Sequence, residues 1–123
     1  MPANSRLVLL AIALALAIAL AIGPASGAAP VSATKNARVS VKDNFFSPRT
    51  ARITRGGHVT WTWKGAVEHN IHFRKVPRGA RRPKGAGTRD SGHVTRTFRH
   101  RGTYRYVCTI HEALGMRGSV RVE

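Results

Sequence analysis

The chain has 123 residues, with 21 Lys and Arg against 5 Asp and Glu, for a net charge of +16. That length holds one domain, and a single cysteine excludes an internal disulfide framework. Charge of this sign points to an anionic partner: an acidic protein, a lipid surface or a cell-wall polymer.

The first element is a leader. Met1 to Arg6 is weakly basic, Leu7 to Ile22 contains only Leu, Val, Ala and Ile, and small residues follow from Gly23 to Ala29. Residues 1–29 thus read as a signal peptide, cut near Ala28 or Ala29, with Val31-Ser-Ala33 as a second exit. The apolar run falls short of the roughly 20 residues of a spanning helix, and an uncleaved membrane anchor is the competing reading. Export places the protein in a periplasmic, extracytoplasmic or secreted setting. It also argues against nucleic acid as the target of the positive charge.

Residues 30–37 read as a polar linker, and 38–123 as the domain proper. Strand-like segments then follow at close intervals. Arg38 to Val41 alternates, and Asn44 to Pro48 makes a turn carrying Phe45 and Phe46 as core candidates. Thr50 to Thr54 alternates again, and in His58 to Trp63 the side chains of Val59, Trp61 and Trp63 share a face. Val67 to Phe73, His93 to Arg99, Gly102 to Val107 and Gly118 to Val122 complete the set. Nothing in the mature region has a helical period. Short strands punctuated by Gly, Pro and Asn predict an all-β, antiparallel sandwich.

One segment breaks this rhythm. From Arg74 to Gly92 the chain carries Arg74, Lys75, Arg78, Arg81, Arg82, Lys84 and Arg89 with little apolar content. It reads as a long exposed loop, either merely solvated or serving as an electropositive docking arm.

The last loop holds the chemistry. Cys108, His111 and Met116 bring a thiol, an imidazole and a thioether onto one stretch between two strands. These are the donors that soft and borderline transition metals select. With no disulfide, a small exported domain also gains stability from a bound metal. One further nitrogen ligand would complete a site, and of the six histidines five besides His111 are candidates. His58 and His93 open strands, and His100 sits between Arg99 and Arg101. His69 and His72 remain, on opposite faces of one strand. His69 is preferred for its place beside the Lys64 to Ala66 turn, and His72 stays open. Asn70 and Thr109 are the candidates for bracing the ligand loop from behind. Two His, one Cys and a weak Met make the trigonal set of blue-copper sites, whereas structural zinc favours Cys and His without a thioether.

At this point the chain, over roughly Val39 to Val122, resembles the cupredoxins of the plastocyanin-like group. The residues that carry the likeness are Glu68-His69-Asn70, the Gly102-Thr-Tyr104-x-Tyr106-x-Cys108 approach, the Cys-x2-His-x4-Met loop and the closing Gly118-x-Val-x-Val. The resemblance implies a Greek-key β-sandwich with one type 1 copper on His69, Cys108, His111 and, axially, Met116. It further implies that His111 is the electron port, rimmed by Ala113, Leu114 and Gly115, and that the protein is a monomeric one-electron carrier rather than an enzyme. Its partner would be an acidic or membrane-associated redox protein. The alternative is a copper-binding carrier or sequestering protein using the same ligands. Ile110 departs from the pattern, since many members have proline before the second ligand histidine. The basic loop departs as well, and bears on the partner rather than on the metal.

Overall fold

Among the described residues the chain forms eight strands, most of them alternating apolar and polar residues: β1 (Thr34–Lys42), β2 (Phe45–Ser47), β3 (Thr50–Trp63), β4 (His69–Lys75), β5 (Ala86–Arg89), β6 (His93–Phe98), β7 (Gly102–Val107) and β8 (Arg117–Val122). The structure is a computed structural model that describes residues 31–123 together with Gly23, Gly27 and Ala29. The expected leader, 1–29, otherwise lies outside the described residues.

Strand β3 organises the rest. Its first half, Thr50 to Ile53, runs parallel to Ser119 to Val122 of β8. Its second half pairs in parallel with β1, up to Val41 opposite Trp63, and antiparallel with β6. One sheet therefore runs β2-β1-β3-β6 and the other β3-β8-β7-β4-β5, with β3 common to both. The Gly56-Gly57 pair lies between its two halves.

The core fills the space between the layers. Val59, Trp61 and Trp63 all turn inward from β3, as their shared face predicted. Trp61 meets Phe73 and Tyr106 of the opposite sheet edge-on, with ring centroids 6.1 and 5.4 Å away. Aromatic edges are electropositive and faces electronegative, so this geometry adds to the area each ring buries. Phe73 and Tyr106 lie on β4 and β7, the two strands that meet at the end of the sandwich where β4 begins and β7 stops.

Four expectations need correction. The sandwich is mixed rather than antiparallel, because β3 has two parallel neighbours. Strand β1 begins at Thr34, inside the stretch read as linker. Of the two phenylalanines at the β1–β2 turn, Phe46 is buried but Phe45 is half exposed, beneath the ammonium of Lys42. A strand of three residues sends adjacent side chains to opposite faces, so both cannot point inward. Finally, the basic segment is not all loop: Ala86 to Arg89 forms β5, at the edge of the second sheet.

Candidate metal centre

Three chain segments converge at one end of the sandwich. Strand β4 starts with His69, whose side chain points inward with Ile71 and Phe73, while Asn70 and His72 face out. The two histidines left open by the sequence thus separate cleanly: His69 is fully buried and His72 exposed. Strand β7 ends just before Cys108, also fully buried. A loop with one 3-10 turn, Glu112–Leu114, then leads through Met116 into β8.

Hydrogen bonds within the backbone give that loop its shape. Cys108 N–H donates to Met116 O at 3.1 Å, His111 N–H to Cys108 O at 3.3 Å, and Met116 N–H to His111 O at 3.2 Å. The turn closes at Gly115, whose φ of 84° lies in the left-handed region that favours glycine. The three residues Cys108, His111 and Met116 are therefore tied to one another before any ligand is considered.

The donor atoms lie close together. His69 Nδ1 is 3.1 Å from His111 Nδ1, and Cys108 Sγ is 3.8 and 3.6 Å from the same two nitrogens. An ion held at about 2.1 Å by nitrogen and about 2.3 Å by sulfur needs donors no more than about 4.4 Å apart. Every edge of this triangle satisfies that limit. Met116 is fully buried in the same core cluster. The donor set, two imidazoles and a thiol with a thioether on the same loop, suits copper.

A ring of polar contacts surrounds the donors. Asn70 Nδ2 donates to Thr109 Oγ1 at 2.7 Å, and Thr109 N–H donates to Asn70 Oδ1 at 2.8 Å. Trp63 Nε1–H donates to the main-chain oxygen of His69 at 3.0 Å. His69 Nε2 lies 3.0 Å from Asp43 Oδ1. The Asp43 carboxylate also accepts N–H bonds from Ala66 and Val67, and these, the Ala66 bond foremost with His69 next, hold its pKa down to about 2. Glu112 takes the Arg74 guanidinium at 2.7 Å, and that bond holds its carboxyl below the usual range, with Arg117 and His72 adding to the effect.

Sequence reasoning missed Asp43, Trp63 and Glu112. Asp43 and Trp63 reach the site through tertiary packing and carry no spacing signal, whereas Glu112 follows His111 on the ligand loop and only its tie to Arg74 depends on the fold. The fold explains Gly65: a Cβ there would stand 2.2 Å from Asp43 Oδ1, so only glycine permits the approach.

The basic residues are dispersed. Arg74 is occupied with Glu112, Arg82 reaches back to the Phe73 carbonyl, and Arg89 lies over the Trp63 ring at 5.3 Å. Lys84 lends its carbonyl to Arg96. Lys75, Arg78 and Arg81 are exposed. Around His111, which is half-buried, Ala113, Leu114 and Gly115 are exposed, and Ile110 adds a second large apolar side chain.

Residues 33–123 match the family described as copper binding proteins, plastocyanin/azurin family. Amicyanin-alpha of Methylorubrum extorquens is 35% identical over 95 residues, covering 77% of this chain and 76% of its own. A plastocyanin of Prochlorothrix hollandica is 32% identical over 106 residues, covering 78% and 79%. Among solved structures, a purple cupredoxin from Nitrosopumilus maritimus superposes with a TM-score of 0.61 at 25% identity, over 71% of this chain and 99% of that one. A Sinorhizobium pseudoazurin gives 0.61 at 27%, over 72% and 73%. The family match takes in every strand and the relatives align over most of both chains, which makes this chain a member of the plastocyanin/azurin family of copper-binding proteins.

Proposed function

We propose that the protein is an exported type 1 copper electron carrier whose one metal would be held by His69, Cys108, His111 and Met116. The observation that carries this reading is the triangle of donor atoms, two of its three residues fully buried, in a chain of copper-binding ancestry. Copper, when bound, supplies a one-electron Cu(II)/Cu(I) couple. Everything else falls to the chain. The hydrogen-bonded loop and the Asn70–Thr109 brace keep the donors in place, so that little needs to move when charge changes. Burial of His69, Cys108 and Met116 keeps water from the donors.

His111 is the one donor of the triangle with partial exposure, which makes it the electron port. Ala113, Leu114 and Gly115, with Ile110 beside them, supply a small apolar rim suited to brief encounters. The partner is a redox protein, acidic or membrane-associated, drawn by the positive surface and met by a monomer. Arg78 and Arg81 are the loop cations best disposed for long-range attraction. An electron carrier of this family is not an enzyme.

The test is spectroscopic. One equivalent of Cu(II) added to the purified protein is expected to give an intense blue or violet thiolate-to-copper band that bleaches and returns on reduction and reoxidation. Cys108→Ser is expected to abolish it. Weak colour, or copper that washes off readily, would instead identify a carrier or sequestering protein.

A further inference from the structure

The only buried polar residue among those described is His69, and one of the five acidic residues of a +16 chain stands against it. We propose that Asp43 is a positioning residue for the metal: it fixes the tautomer and orientation of His69 and sets a negative charge behind that ligand which favours Cu(II) over Cu(I). This rests on the copper-site reading above.

The geometry is built rather than incidental. Asp43 lies in the β1–β2 connection, next to Asn44, whose φ of 67° is left-handed. Its carboxylate accepts the Ala66 N–H at 3.0 Å on each oxygen and the Val67 N–H at 3.1 Å. The same β3–β4 connection is tied to β1 by Lys64 and Gly65 N–H bonds to Val41 O, at 2.8 and 3.2 Å. Gly65 leaves room for Oδ1. The carboxylate is thus clamped before it meets the imidazole, and cannot swing aside without losing three backbone bonds.

A carboxylate only accepts, so Nε2 of a neutral His69 must carry the proton. The lone pair is then on Nδ1, the atom that faces Cys108 Sγ and His111 Nδ1. An imidazole that donates to a carboxylate is a more basic ligand, and a charge one ring away stabilises the higher-charged metal ion more. Losing such a partner commonly costs about 10- to 100-fold in metal affinity.

Two measurements test this, one of them without metal. In the metal-free wild-type protein, ring-nitrogen NMR should find neutral His69 protonated on Nε2. A proton on Nδ1 would overturn the assignment, whatever copper does. In Asp43→Asn, Cu(II) affinity should fall at least tenfold relative to Cu(I), a rise of about 59 mV in midpoint potential for a one-electron couple. Asp43→Asn can still accept the Ala66 and Val67 N–H groups, so a purely structural role would shift the melting temperature and leave the potential alone. An unchanged potential in a folded, coloured Asp43→Asn would refute the electrostatic role. A wild-type protein that never forms the coloured copper complex would refute the copper reading itself, with the NMR result still judging the Asp43–His69 contact.

Discussion

Asn70 and Thr109 hold each other by two hydrogen bonds, one from side chain to side chain and one from the Thr109 backbone, across 39 residues of sequence. This stitch joins the residue after His69 to the residue after Cys108. It makes the separation between the two buried donors a property of the fold. Asn70→Ala removes both bonds, each with a net value of about 0.5–1.5 kcal/mol. A loss of about 1–2 kcal/mol in denaturant unfolding is expected, with faster copper release to a chelator. Release at the wild-type rate would mean that the loop's own backbone bonds suffice.

Met116 offers a cleaner separation of stability from tuning. It is fully buried, and Leu has nearly its volume, so Met116→Leu should cost no more than about 1.5 kcal/mol in the metal-free protein. If the thioether acts on the metal, the midpoint potential should rise, because an axial donor that favours Cu(II) is gone. A shift in stability with no shift in potential would make Met116 a packing residue only.

The exposed cations of the basic segment should govern encounter rates. Arg78→Ala with Arg81→Ala leaves the Arg74–Glu112 and Arg82–Phe73 contacts in place. Oxidation of the reduced protein by an anionic iron cyanide complex should slow by roughly twofold to tenfold at low salt, and its salt dependence should flatten. A cationic cobalt oxidant should respond in the opposite sense. Rates unchanged from the wild type with either oxidant would retire these arginines as steering groups.

The two tyrosines make the fold sensitive to alkali. Burial pushes the phenols of Tyr104 and Tyr106 above their ordinary value, Tyr106 the more strongly. A folded-state pKa above the unfolded one favours the neutral phenol. That stability is complete below about pH 10 and is lost as pH rises further. Phenolate absorbance should therefore appear late, and together with loss of the near-ultraviolet dichroism. A phenol that ionises near pH 10 in a still-folded protein would contradict the packing around that ring.

The residues whose donor atoms converge, His69, Cys108 and His111, drew notice in the sequence because Cys108 is the one cysteine and His111 lies three residues after it. Strand alternation set His69 and His72 on opposite faces and the neighbouring turn favoured His69, but only the structure shows which of the two faces inward. Asp43 was illegible for the opposite reason: it precedes His69 by 26 residues, and only the pairing of β1 with β3 brings it near. Alternation tells which face a residue occupies but not which strand lies alongside, so the parallel neighbours of β3 were hidden too. Strand β5 escaped notice because Ala86 is its only buried residue, and an edge strand of Ala-Gly-Thr-Arg carries no pattern.

The double allegiance of β3 also sets an order on biosynthesis. Its first half meets β1 only at Ile53, opposite Thr34, and gains its main parallel neighbour once Arg117 to Val122 has been made, so the second sheet closes late. His69 is translated well before its companions, and Cys108, His111 and Met116 arrive together just ahead of β8. For the 39 residues that separate His69 from Cys108, a nascent chain therefore carries the first donor without the thiol. The donor triangle of His69, Cys108 and His111 can therefore assemble only after its loop has been made, late in the order of the strands.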